Sequence, residues 1–204
     1  MLTRLVLIRH GITRWNLQRR YCGHNDIPLS WEGKKQARKL RQDLKGVKFD
    51  RIYSSVKSRA FQSCRIIFPG SKFTKVRALQ EINFGVLEGL YHEVIMKRYG
   101  GLYRKWIKDP YNTHIPGLER MQDFKKRVNT AIKNILRLNT GKTIAVVCHG
   151  GVIGIILSSI LKSRDFWRYV PAAGTISVVD YKNGKAAIIQ FNKTKIQGRF
   201  STQS

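Results

Sequence analysis

Short apolar runs that stop abruptly at polar, glycine-containing turns organise this chain. Leu5-Val6-Leu7-Ile8 is continuous and apolar, as in a strand buried on both faces of a parallel sheet, and it ends at Arg9-His10-Gly11. Ile144-Ala145-Val146-Val147-Cys148 ends at His149-Gly150-Gly151 in the same manner. Between these runs the period changes to that of amphipathic helices. Glu32 to Leu44 carries Ala37, Leu40 and Leu44 on one face, and Glu119 to Leu138 carries Met121, Phe124, Val128, Ile132 and Ile135. Further strands are expected at Arg51-Ile52-Tyr53 and Thr74 to Arg77. A late pair, Thr175 to Tyr181 and Ala186 to Phe191, is joined through the hairpin signal Asn183-Gly184. Strands alternating with helices predict an α/β sandwich whose sheet is mostly parallel, with one antiparallel edge.

The uncharged stretch Thr143 to Leu161 has the length of a membrane span, but His149, Gly150 and Gly151 interrupt its centre, so it reads as strand, turn and helix. No membrane association is expected. With 204 residues, 42% hydrophobic and 25% charged, and no linker or repeat, the chain is expected to form one domain over residues 1–204. Cys22, Cys64 and Cys148 are an odd number with no C-x-x-C pair, which suits a reducing compartment. The apolar run after Met1 is short, broken by Arg4 and followed at once by Arg9, unlike a secretory leader. A cytoplasmic location is expected.

Ligands of open α/β sheets sit outside the carboxyl ends of the strands. His10 and His149 occupy two such ends. A third strand runs into Ser54-Ser55 and Arg59, and a fourth into Leu79-Gln80-Glu81. Taken singly each is ordinary: Arg-His-Gly is a common tripeptide, Arg59 a solvated helix residue, Glu81 a loop carboxylate, His149 a core histidine. Together with Asn16 they make a set suited to one reaction, because arginines give paired donors to phosphate oxygens, a histidine can attack phosphorus, and a carboxylate can protonate the leaving group.

The run Leu7-Ile8-Arg9-His10-Gly11-Ile12-Thr13-Arg14-Trp15-Asn16 resembles the opening motif of the histidine phosphatase superfamily, which includes phosphoglycerate mutases and many phosphatases. Later segments match in order: Tyr21-Cys22-Gly23-His24 with Pro28-Leu29-Ser30, Ser54-Ser55-Val56-Lys57-Ser58-Arg59-Ala60, Leu79-Gln80-Glu81 with Phe84-Gly85 and Glu88-Gly89, and Val147-Cys148-His149-Gly150-Gly151. The resemblance implies a phosphoglycerate mutase-like, three-layer α/β/α sandwich with a mostly parallel mixed sheet. It implies that His10 is the nucleophile and becomes phosphorylated, that Arg9, Arg59 and His149 hold the phosphoryl oxygens, and that Glu81 rather than Glu88 is acid and then base. Asn16, Thr13, Cys22, Gly23 and Gly150 are the implied substrate-binding residues. The substrate is a small phosphorylated molecule, no metal or other cofactor is required, and the active unit is a monomer or homodimer.

Two departures concern the substrate. Gly117-Leu118-Glu119-Arg120 stands where many members have Gly-x-Glu-Ser, and Gly154 where an arginine is frequent. Glu81 and His149 lie 68 residues apart, less than in the mutases, whose longer insertion shields the phosphoenzyme from water; this favours hydrolysis over mutase chemistry. Chain size, the Tyr-x-Gly-His loop and Phe166-Trp167 are similar to α-ribazole phosphatases of cobalamin assembly, with a broad phosphatase as the near alternative.

The 39 Lys and Arg against 12 Asp and Glu give a net charge of +27, which attracts polyanions. The competing reading is a basic nucleic-acid or polyanion binder that retains the fold. The basic residues are spread over Arg14 to Arg20, Lys34 to Arg41, Lys97 to Lys108 and Lys193 to Arg199, with no recognition motif. Heparin and DNA should therefore bind weakly and without sequence preference. Affinity should fall steeply from low to physiological salt, read by anisotropy titration at several ionic strengths.

Overall fold

The structure, a computed structural model, describes residues 1–196. In chain order the elements are β1 (Leu2–Arg9), α1 (Arg14–Leu17), α2 (Trp31–Asp43), β2 (Arg51–Ser55), α3 (Ser58–Ile67), β3 (Thr74–Val76), α4 (His92–Lys108), α5 (Met121–Arg137), β4 (Thr143–Cys148), α6 (Gly150–Ile160), β5 (Ile176–Lys182) and β6 (Lys185–Lys193). Single 3-10 turns lie at Arg77–Leu79, Gly85–Leu87 and Trp167–Tyr169.

One sheet runs in the order β3-β2-β4-β1-β5-β6. β3, β2, β4 and β1 are mutually parallel, and β5 pairs antiparallel with both β1 and β6. The β5–β6 turn is the expected one, with Asn183 and Gly184 at φ 50° and 74°, the double positive φ of a tight hairpin.

Alternation along the central strands divides the core into two. Val6, Ile8, Ala145, Val147 and Ile52 face Ala37, Leu40 and Leu44 around α2 and Ala60, Cys64 and Ile67 of α3. Leu5, Leu7, Ile144 and Val146 face the other way, onto Trp106 of α4, Phe124, Val128, Ile132 and Ile135 of α5, and Val152, Ile153, Ile155 and Ile156 of α6. Helices on both faces of a mixed sheet make the three-layer sandwich expected from the pattern. Thr143 to Leu161 is indeed strand, turn and helix. Among the described residues no helix is long and apolar enough to cross a membrane.

The boundaries shift for local reasons. β2 continues past Tyr53 through Ser55, because Ser54 and Ser55 pair with β4 and β3 and are buried despite their polarity. Arg77 leaves β3 and opens a 3-10 turn. α5 starts at Met121 rather than Glu119, whose N–H is held by the Asn83 carbonyl at 2.8 Å and whose carboxylate pairs with Arg127. Two helices, α3 and α4, were not expected from the sequence. The buried face of α3 includes Arg59 and Ser63, and α4 contains Gly100-Gly101, which weakens any local helix preference.

Candidate active site

Adjacent parallel strands deliver the two histidines to one place. Arg9 at the end of β1 is in register with Cys148 at the end of β4, so His10 and His149 follow side by side, their ring centroids 5.1 Å apart. The His10 N–H donates to the Cys148 carbonyl at 3.0 Å, and the His10 carbonyl accepts from Gly174 N–H at 3.0 Å. The backbone beneath the ring is thus held from two sides.

His10 Nδ1 donates to the Gly11 carbonyl at 2.7 Å, since a carbonyl can only accept. Its proton is thereby placed on Nδ1 and the lone pair on Nε2. That nitrogen faces Arg59, whose Nε–H donates to it at 3.3 Å. Arg59 is 1% exposed, and its remaining nitrogens donate to the carbonyls of Gly23 at 2.7 Å, Asn25 at 3.0 Å and Cys22 at 3.4 Å. His149 Nε2 bonds Ser55 Oγ at 2.8 Å, while its Nδ1 is buried without a partner. Arg9 binds the Pro171 carbonyl through Nη1, and its Nε is likewise buried without a partner. An unsatisfied buried polar group costs about 1–3 kcal/mol, so Arg9 Nε, and His149 in the tautomer with its proton on Nδ1, are donors open to acceptor oxygens.

Glu81 follows the 3-10 turn after β3 and is almost fully buried. Its carboxyl accepts from Gly151 N–H, in the first turn of α6, at 2.9 Å and from its neighbour Ile82 N–H at 3.1 Å. Gly151 allows the approach, because a Cβ there would stand 2.3 Å from Glu81 Oε1. The backbone leading to Glu81 is fixed by Arg127 of α5, which donates to the carbonyls of Ala78 and Gln80 at 2.8 Å each and of Glu81 at 3.0 Å while pairing with Glu119 at 2.6 Å. Glu119 supports the acid loop.

Burial dominates the electrostatics. Desolvation, reinforced by Arg59 and then Arg9, holds His10 well below the usual histidine range, and His149 is lowered for the same first reasons. Both rings are neutral near neutrality. Desolvation raises the Glu81 carboxyl against the opposing pull of Gly151 N–H and Arg9. A neutral histidine whose Nε2 lone pair accepts from Arg59, beside a carboxyl that burial biases toward its protonated form, suits attack on an electrophile and protonation of what leaves.

A cavity of about 280 Å³ opens here, lined by Arg9, Asn16, Cys22, Glu81 and Gly150 of the expected set, while His10, Arg59 and His149 are buried and not part of its lining. Asn16 also closes the cap of α1 with Thr13, accepting from its N–H and hydroxyl at 3.0 Å each. Thr13 is buried and turned into that cap, and Gly23 offers its carbonyl to Arg59, so neither lines the cavity. Sequence reasoning gave no role to Ser55, Gly151 or the Pro171 carbonyl. The first two stand in recognised motifs, but only the fold shows what they touch. It also missed the cavity wall of Tyr21, Ile82, Phe84 and Val170 and the rim arginines Arg19 and Arg20; Phe166-Trp167 was singled out and does lie there. Trp167 packs on buried Trp106 at 5.0 Å, and Tyr21 and Tyr103 share a hydroxyl bond at 2.7 Å.

A neutral histidine with its Nε2 unprotonated, among arginines at the carboxyl end of an α/β sheet, suits phosphoryl transfer. Residues 5–194 match the family model of the histidine phosphatase superfamily, branch 1, and the chain belongs to that family. Phosphoserine phosphatase 1 of Hydrogenobacter thermophilus is 27% identical over the whole of this chain and 98% of its own length. A protein named "Probable phosphoglycerate mutase GpmB" from Salmonella choleraesuis is 32% identical over 77% of this chain and 74% of its own. The crystal structure of the alpha-ribazole phosphatase from Shigella flexneri superposes with a TM-score of 0.87 at 27% identity, covering 96% of this chain and 99% of that one. The protein is a histidine phosphatase.

The lowered histidines tie stability to pH. An unfolded histidine takes up its proton near pH 6.5, whereas the folded His10 and His149 resist until lower pH, so below that value the unfolded state binds more protons and stability falls. Glu81 acts oppositely, because its raised folded value contributes stability in acid that is lost as pH rises above the usual carboxylate range. Two histidines outweigh one carboxyl between about pH 7.5 and 5.5. The urea midpoint should drop on acidification across that interval, and drop less in His149→Gln.

Proposed function

We propose that the protein is a single-domain phosphomonoester hydrolase that works through a phosphohistidine on His10 and needs no metal. The observation that carries this reading is the fixed tautomer of His10, with Nδ1–H on the Gly11 carbonyl and the Nε2 lone pair directed at Arg59. In the first step Nε2 attacks phosphorus, the ester P–O bond breaks, and the departing alkoxide takes the Glu81 proton. In the second, water attacks the phosphohistidine, Glu81 recovers a proton from it, the P–N bond breaks, and the electron pair returns to Nε2. Arg9, Arg59 and His149 meet the phosphoryl oxygens. Because the transferred group is already anionic, these cations and donors act mainly through position and charge.

The apolar wall of Tyr21, Phe84, Phe166 and Trp167 supports a leaving alcohol with a flat, apolar part, as in α-ribazole phosphate, the substrate in the name of the Shigella neighbour. The relative named as a phosphoglycerate mutase supports a second reading, transfer of phosphate between positions of one substrate.

Wild type should turn over phosphomonoesters undiminished in EDTA, and quenched reactions should carry acid-labile phosphate on His10 by mass spectrometry. His10→Ala should lose both turnover and label. Label on His149, or activity restored only by a divalent ion, contradicts the proposal, and phosphoglycerate exchange at the rate of hydrolysis favours the mutase reading. General-acid help is worth about 10²- to 10⁴-fold and matters most for poor leaving groups. Glu81→Gln should therefore slow an alkyl phosphate far more than p-nitrophenyl phosphate, compared by kcat/KM on both.

A further inference from the structure

Glu88 shares a short loop with Glu81, but the two carboxylates have different surroundings. Glu88 does not line the cavity. Its oxygens accept from five N–H groups: His24 at 2.6 Å, Asn25 Nδ2 at 3.0 Å, Asn25 N at 3.1 Å, Phe84 at 3.2 Å and Gly23 at 3.3 Å. Three of these belong to consecutive peptide units of the 22–25 loop. The carbonyls of that same loop, Cys22, Gly23 and Asn25, are the ones that receive the Arg59 guanidinium. The loop therefore turns its N–H groups to a carboxylate and its C=O groups to a cation. In the Cys22–Gly23 and Gly23–His24 peptide units the dipole is favoured by both charges and the bonds polarise one another, while the His24 carbonyl accepts from Lys57 Nζ.

The Arg59 guanidinium has five N–H groups in a rigid plane. With both terminal nitrogens committed to loop carbonyls, the orientation of the plane is set by the loop, and Nε is left directed at His10 Nε2. We infer that Glu88 is a positioning residue for phosphoryl transfer: by gripping the 22–25 loop it aims Arg59 at the phosphoryl group carried by His10. Glu88 touches neither substrate nor His10; it acts through peptide units. The inference rests on the reading of Arg59 as a phosphoryl ligand.

A glutamine at 88 keeps one acceptor oxygen but turns an NH2 toward backbone N–H groups, so the grip fails on one side. Misplacing a catalytic group by about 1 Å costs on the order of 10²-fold. Glu88→Gln should lower kcat/KM about 10- to 100-fold, with equal loss on p-nitrophenyl phosphate and an alkyl phosphate, because no proton transfer to the leaving group is involved. Most of the loss should appear in kcat. The decisive comparison is a cycle of wild type, Glu88→Gln, Arg59→Ala and the double variant, measured both as kcat/KM and as affinity for inorganic phosphate by phosphorus NMR. If Glu88 works through Arg59, Glu88→Gln has no further effect once Arg59 is absent. Losses that multiply in the double variant, or a loss confined to the alkyl substrate, overturn the inference. Should Glu88→Gln fail to fold by circular dichroism, Glu88→Asp, which keeps the charge but shortens its reach, enters the same cycle with the same criteria. An inactive wild type would contradict the hydrolase proposal, and the phosphate-binding cycle would still decide the role of Glu88.

Discussion

Parallel pairing of β1 with β4, and of β4 with β2, is the constraint on which the site depends. The register that sets Arg9 against Cys148 and Ser54 against Val147 brings His10 and His149 side by side at the carboxyl end of the sheet, with Ser55 level with Cys148, one residue behind them. A slip of one residue would move the histidines apart. It would also exchange Leu5 and Leu7 with Val6 and Ile8 between the two helical layers, because side chains alternate with period two. The same apolar pattern that fills both cores therefore fixes the geometry of the chemistry. Packing and function are specified by one alignment.

The excess of 27 positive charges is not what makes the site cationic. Most basic side chains are scattered over the surface, whereas Arg59, a proposed phosphoryl ligand, is buried at 1% exposure. Burying a guanidinium is costly unless it is neutralised or fully bonded. For Arg59 the compensation comes from main-chain carbonyls rather than from a carboxylate in contact, so its charge is retained for a ligand. Arg127, away from the reacting nitrogen, instead pairs directly with Glu119. Where the positive charge is wanted, dipoles satisfy it; where a scaffold is wanted, an ion pair does.

The central strands, α5, the hairpin and the strand-end positions of His10, His149 and Glu81 were legible in the sequence, because each rests on a local pattern: a buried apolar run, a 3.6-residue stripe or an Asn-Gly turn. α3 and α4 were not. Each has an apolar face, Ala60, Cys64 and Ile67 in one and Ile95, Tyr103 and Trp106 in the other, but a buried arginine and serine interrupt the first and paired glycines weaken the second. The cavity wall was illegible for a similar reason. Tyr21, Phe84 and Trp167 lie in separate segments with no periodicity; the fold sets Tyr21 directly against Phe84 at 4.7 Å and joins Trp167 to both through Trp106. Thr13 and Gly23 are adjacent in sequence to the right motifs, yet the fold turns them to a helix cap and to an arginine.

The reacting atoms and the cavity wall have different structural origins. The first are presented by strand ends and the α6 N-terminus, held by main-chain hydrogen bonds and by Ser55, Arg127 and Glu88, none of which lines the cavity. The second comes from the loop after Glu81, the stretch before it at Tyr21, and the Phe166 to Val170 segment. Mutations that accumulate in the wall can thus alter which alcohol is accepted while inheritance of the phosphoryl machinery continues unchanged. A gene duplicate of such a protein could drift from one metabolite to another by small steps without passing through an inactive ancestor.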